Sequence, residues 1–217
     1  MTNRKKWQVR LFFIVWLVFI KLFIKDSLFG FLLLNTFLGY IPIELSFHIG
    51  KPKQNVLIFW FLTIVWMLFY PNAPYILTDL LHLSWLHPND INGMLKLDGH
   101  IWFLYTCLLI SALTCAFLGF WSLIHVAKAI TAKLHLQMAF TNMMVTCVLI
   151  FLSSVGLYIG RFLRVHTVYL ITNPKFYMHM FANMWNREML IFVILMTIIQ
   201  LVIYWIYTII QDNSPET

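Results

Sequence analysis

The sequence predicts an all-α, polytopic membrane protein with six transmembrane helices and one short re-entrant or interfacial amphipathic helix. Three observations carry that reading. Of 217 residues, 61% are hydrophobic and only 11% charged, against about 25% charged in an ordinary soluble domain. The mean hydropathy is +0.82. The apolar residues fall into six runs read as membrane spans, the third of them short but sufficient with local thinning, and the longest polar interruption between them, Tyr70 to His100, contains its own short helical pattern. No repeat, low-complexity stretch or linker divides the chain, so residues 1–217 read as a single membrane domain.

The first span is placed at 11–24. Arg4, Lys5, Lys6 and Arg10 precede it as in a signal sequence, but no small-residue cleavage site follows, so it is read as retained. Lys21, near its far end, is expected to snorkel toward Lys25 and Asp26. The second span, 29–47, carries Asn35, Gly39, Pro42 and Ser46 on one face, a pattern suited to close helix contact and a kink. Glu44 points to the opposite side and is expected to pair at the interface near Lys51 and Lys53. The third span, 54–70, ends at the Pro71 break. The fourth covers 101–124 and the fifth 138–160, where Ser153, Gly156, Gly160 and Arg164 share a face with Arg161 beside it. The sixth, 189–210, precedes a polar tail at 211–217.

Six spans place both termini on one side of the membrane. The basic N-terminus assigns that side to the cytoplasm of a cytoplasmic membrane. Eight Lys and Arg then lie inside and seven outside. The excess of fifteen basic over eight acidic residues is spread among the spans, which fits orientation and anionic lipid rather than nucleic acid. Cys107, Cys115 and Cys147 lie within spans, show no ligand spacing and read as packing residues.

The interruption after the third span reads as a helix over 74–86. Pro71 and Pro74 suit its entrance and Pro88 blocks continuation past His87. At 100° per residue Tyr75, Thr78, Asp79 and His82 share one narrow polar stripe on an otherwise apolar helix, and Asp79 and His82 can meet over one turn. A helix of about three turns is too short to span, so it is expected in the interface or between spanning helices, near the outer end of the fifth span.

The segments NTFLGYIP in the second span, YPNAPYILTDLLHL after the third and GLYIGRFLR closing the fifth together resemble the bacterial integral membrane family known as domain of unknown function thirteen sixty-one. The similarity covers most of the chain, and the middle motif is the most specific. In that family the arginine motif continues into Asn-Ser-Trp-Asp, whereas here His166, Thr167, Val168 and Tyr169 follow, so a second acidic position is missing. The resemblance implies no reaction. It supports the architecture and a set of site residues: Asn35, Asn72, Tyr75, Thr78, Asp79, His82, Arg161 and Arg164.

Those residues admit several readings. Asp79 can pair with Arg161 or Arg164 and simply lock the fold. The two arginines, flanked by Tyr75, Thr78 and His82 and oriented by Asp79, can hold an anionic lipid headgroup, a lipid-linked precursor or a peptide partner. Asp79 and His82 can instead serve a membrane-embedded hydrolase or transferase. A divalent metal is conceivable there, with His87, Asp90, Asp98 and His100 as further donors, although the spacing matches no metal motif and 90–99 reads as a solvated loop with an Asn92–Gly93 turn. Met178, His179, Met180 and Met184 offer soft donors for cuprous copper, or aromatic-helix packing. No Gly-rich phosphate loop occurs, and Pro42 alone does not make a transporter.

Overall fold

The computed structural model describes residues 1–25, 27–136, 139–163 and 181–212. By its contacts the chain divides into two compact units, Met1–Val126 and Ala127–Thr217.

In the first unit, helix α1 (Asn3–Phe23) starts at Thr2, whose side chain accepts a hydrogen bond from the Lys5 amide at 3.4 Å. It buries Phe13 and Ile20 and leaves Leu11, Ile14, Val18 and Leu22 more than half exposed. Helix α2 (Phe31–Ser46) buries Leu32, Thr36, Gly39, Ile43 and Ser46, a helical stripe that also takes in Pro42. Proline gives up one intrahelical bond, and here its own carbonyl is used from outside. Ser122 of helix α5 (Gly99–Lys133) donates to the Pro42 carbonyl at 3.4 Å, and Trp66 of helix α3 (Val56–Phe69) donates to the Ser122 hydroxyl at 2.7 Å. Three helices are thereby joined through buried polar atoms.

Helix α4 (Asn72–Asp79) follows α3 after Tyr70 and Pro71 only. The corner keeps helical hydrogen bonding, with Ala73 N donating to the Tyr70 carbonyl at 2.9 Å and Tyr75 N to the Pro71 carbonyl at 3.0 Å. Proline at a helix start costs no bond. The segment expected as a separate helix over 74–86 therefore begins at Asn72 and prolongs the third span. Its second half, Leu80–Leu86, is a 3-10 helix. At three residues per turn, side chains three apart eclipse. Leu80, Leu83 and Leu86 all pack on the cluster around Ile20, Phe29, Leu32, Leu104 and Leu108, while Leu81 and Ser84 are exposed.

Glycine sets how closely α4 is gripped. A β-carbon on Gly39 of α2 would lie 3.0 Å from Cys115 Sγ, 3.1 Å from Ile76 and 3.3 Å from the Asn72 carbonyl, and one on Gly119 of α5 would lie 2.7 Å from the β-carbon of Ala73. Gly119→Ala is therefore expected to destabilise the unit by about 1–3 kcal/mol through overpacking, and Ala73→Gly in the same chain to restore most of the loss. Thermal melts of the detergent-purified proteins check this. Equal midpoints for wild type and Gly119→Ala would contradict so close an approach.

In the second unit the end of α5 meets helix α6 (Ala139–Tyr158) through a hydrogen bond from Thr131 to Asn142. A π turn, Ile159–Leu163, closes α6. Helix α7 (Arg187–Asp212) packs on α6, with Gln200 donating to Ser154 at 2.9 Å and Met184, Met189 and Val193 buried against Val155, Tyr158 and Phe192. Ile194, Ile198 and Trp205 face outward.

Four runs are long and apolar enough to cross a membrane: Val56–Leu86, Gly99–Lys133, Phe140–Leu163 and Arg187–Ile210. Helix α2 is apolar but has 16 residues. Among the described residues the fold is all-helical with one isolated β-bridge, Asn89 to Leu95. A membrane setting explains why so much apolar surface faces outward.

Candidate functional site

The polar centre of the first unit is built where α2 and α4 run antiparallel. Gly39 meets Asn72 and Ile76, Asn35 meets Asp79, and Phe31 meets His82. Asp79 is the last residue of α4 and is completely buried. The Asn35 side-chain amide donates to its Oδ2 at 2.7 Å. His82 Nδ1 lies 3.0 Å from the Asp79 carbonyl oxygen and 3.5 Å from its Oδ1. The imidazole is half-buried, 4.5 Å from the Phe31 ring and edge-on to Trp85 at 4.3 Å. Asp79, His82 and Trp85 thus form one eclipsed row.

Depth gives this cluster its chemical character. Glu44, at the other end of α2, is held by Arg10 near the basic start of α1. Nine residues separate it from Asn35, about 14 Å along the helix axis. Asp79 lies within Val56–Leu86, a run long and apolar enough to cross a membrane, and an ionisable group buried in such a run needs donors around it and is a functional candidate. Nδ1 of His82 faces a peptide carbonyl, which only accepts, so Nδ1 carries a proton. Nε2 is then a lone-pair acceptor on the neutral ring or a cationic N–H donor on the protonated one.

Asp79 and His82 meet over one turn, as their spacing predicts, and Asn35 reaches Asp79 from α2. Asn72 is used differently, its amide closing the corner by donating to the Phe69 carbonyl at 2.9 Å. Tyr75 and Thr78 are half-buried on α4, and the Thr78 hydroxyl turns back to the Tyr75 carbonyl at 2.6 Å. Arg161 stands in the π turn of the second unit. Arg164, with His166, Met178, His179 and Met180, lies outside the described residues.

Among the described residues no three His, Cys, Asp or Glu side chains converge as a metal site. Asp98 instead accepts from the His100 amide at 2.8 Å, capping the start of α5, and Asp90 accepts from the Ile91 amide at 2.8 Å. Met184 is core packing beside Met189.

Glu44 corrects an expectation. Its partner is Arg10, with Nη2 to Oε1 at 2.6 Å and Nε to Oε2 at 3.0 Å, rather than Lys51 or Lys53. Tyr40 also donates to Glu44 at 2.7 Å, and His48 Nε2 lies 3.2 Å away. Arg10 was missed because only antiparallel packing of α1 and α2 brings the pair together; Tyr40 and His48, four residues to either side, were the local signal. Arg10 also lies over the Trp7 and Phe47 rings.

The family model described as "Protein of unknown function (DUF1361)" matches residues 34–203, a stretch that takes in Asn35, Asp79 and His82. Neither the comparison with curated proteins nor that with solved structures finds a match. With most of its length matched by that model, the chain belongs to this family of proteins of unknown function, DUF1361.

Proposed function

We propose that the protein binds an anionic headgroup, of a lipid or a lipid-linked precursor, at His82, with Asp79 and Asn35 holding the ring in place. The observation that carries the reading is a fully buried carboxylate beside the Nδ1 edge of a half-buried imidazole, on the helical stretch that leads out of α4. The carboxylate and the Asp79 carbonyl fix the orientation of the ring, and an imidazole N–H so oriented can donate to a phosphate oxygen. The proposal includes a cytoplasmic membrane with both termini inside, supported by the basic start of α1, which puts His82 toward the outer leaflet.

Titration of the purified protein with short-chain phosphatidic acid, with phosphatidylcholine as control, tests this. His82→Ala is expected to weaken phosphatidic acid binding at least tenfold in a protein that still folds. Equal binding by the two proteins would reject the site, and loss of folded protein would make His82 a structural group.

A second reading, a hydrolase or transferase, is favoured by the same Nδ1–H orientation, because on the neutral ring Nε2 is then a general base backed by a carboxylate. Phosphate release from a lipid diphosphate, abolished in His82→Ala, would support it; no turnover by wild type would reject it for that substrate.

A further inference from the structure

The exposed stretch 90–99 has the turn expected at Asn92–Gly93 and adds backbone pairing across it. Pro88 to Lys96 folds back as a hairpin, with Lys96 N donating to the Pro88 carbonyl, Asp90 N to the Met94 carbonyl and Gly93 N to the Asp90 carbonyl, each at 2.8 Å. Gly93 takes a positive φ of 75° at the tip. The hairpin exposes apolar side chains: Ile91 is 100% exposed, Leu97 98% and Met94 73%. Between the hairpin and the first turns of α5 lies a cleft of about 300 Å³, the lower end of the usual range for small-molecule sites. Leu83, Pro88, Leu95, Ile101, Trp102 and Tyr105 form its walls, and Lys96 is the one charged residue lining it.

We infer that this cleft takes one acyl chain of an anionic phospholipid from the surrounding bilayer, with the lipid phosphate at Lys96. The walls supply hydrocarbon and no competing charge. Lys96 is tethered at the rim by donating to the His87 carbonyl at 3.1 Å, and an ammonium has two further protons for a phosphate oxygen. The nearby carboxylates accept from backbone amides, Asp90 from Ile91 and Asp98 from His100, and neither forms an ion pair with Lys96. Trp85, Trp102 and Tyr105 are the residue types that settle at headgroup level. The exposed Ile91, Met94 and Leu97 give the hairpin an apolar edge to rest against the same lipids. This site uses none of Asn35, Asp79 or His82.

Native mass spectrometry of the purified full chain, titrated with phosphatidylglycerol and with phosphatidylcholine of the same acyl chains, tests the inference. Wild type is expected to retain one phosphatidylglycerol at least fivefold more strongly than phosphatidylcholine. Lys96→Gln, on the exposed hairpin, should remove that preference, and Ile101→Trp, which fills the cleft, should reduce retention of both lipids at least fivefold. The series is repeated in a His82→Ala background, where a headgroup contact at His82 no longer contributes. Equal retention of the two lipids by wild type, or wild-type behaviour of both Lys96→Gln and Ile101→Trp in that background, would overturn it.

Discussion

Asp79→Ala is expected to destabilise the first unit by about 1–3 kcal/mol or more, the cost of stranding a polar partner away from water. Two groups lose their acceptor together. The Asn35 amide, 2.7 Å from Oδ2, would face a void at a level where lipid offers no replacement. The His82 N–H would lose Oδ1 and keep the peptide carbonyl at 3.0 Å. Asp79→Asn should fall between the two, because its amide oxygen can still accept from Asn35 while its amide nitrogen cannot accept from His82. A thermal melt in detergent, read by circular dichroism, would show the order wild type, Asp79→Asn, Asp79→Ala. Identical midpoints would mean that the buried carboxylate contributes nothing to the fold and is present for ligand or proton chemistry alone.

The second large effect is expected at the opposite end of α2. Glu44→Ala removes the acceptor for Arg10, Tyr40 and His48 at once. Removing one partner of a fully buried pair typically costs about 3–5 kcal/mol. Here the Arg10 and Glu44 side chains remain 23% and 29% exposed, so part of the charge finds water or headgroups, and a loss of about 1–3 kcal/mol is expected for these charge-assisted bonds. The informative experiment is the double-mutant cycle with Arg10→Met. A coupling near zero would mean that the ring contacts with Trp7 and Phe47, not the carboxylate, hold Arg10. The coupling should persist in high salt, because the pair is only partly open to solvent.

These two clusters show what the sequence discloses and what it withholds. Asp79 and His82 were legible because three residues apart means contact in either an α- or a 3-10 helix, so an error in helix type did no harm. The helix type itself was misread. Leu80, Leu83 and Leu86 carry a strict period of three, but among so many apolar residues a wheel drawn at 100° per residue absorbs them into one wide apolar face. The small-residue face of α2 was legible because Gly39 and Pro42 have few other uses in a membrane helix. What it would contact was not, since that depends on the helical chain continuing past Pro71 as α4 instead of stopping there. Arg10 and Glu44 are 34 residues apart, and no local pattern links them. The four runs long and apolar enough to cross a membrane follow directly from composition, whereas the basic residues of α1 and the 16-residue length of α2 make those two less legible as spans.

The 3-10 stretch also acts as a ruler. Seven residues at about 2.0 Å each cover about 14 Å, where an α-helix of the same residues would cover about 10.5 Å. Leu80–Leu86 therefore carries the chain roughly 3.5 Å further from Asp79 than α-geometry allows, and delivers the hairpin that far up without adding a residue.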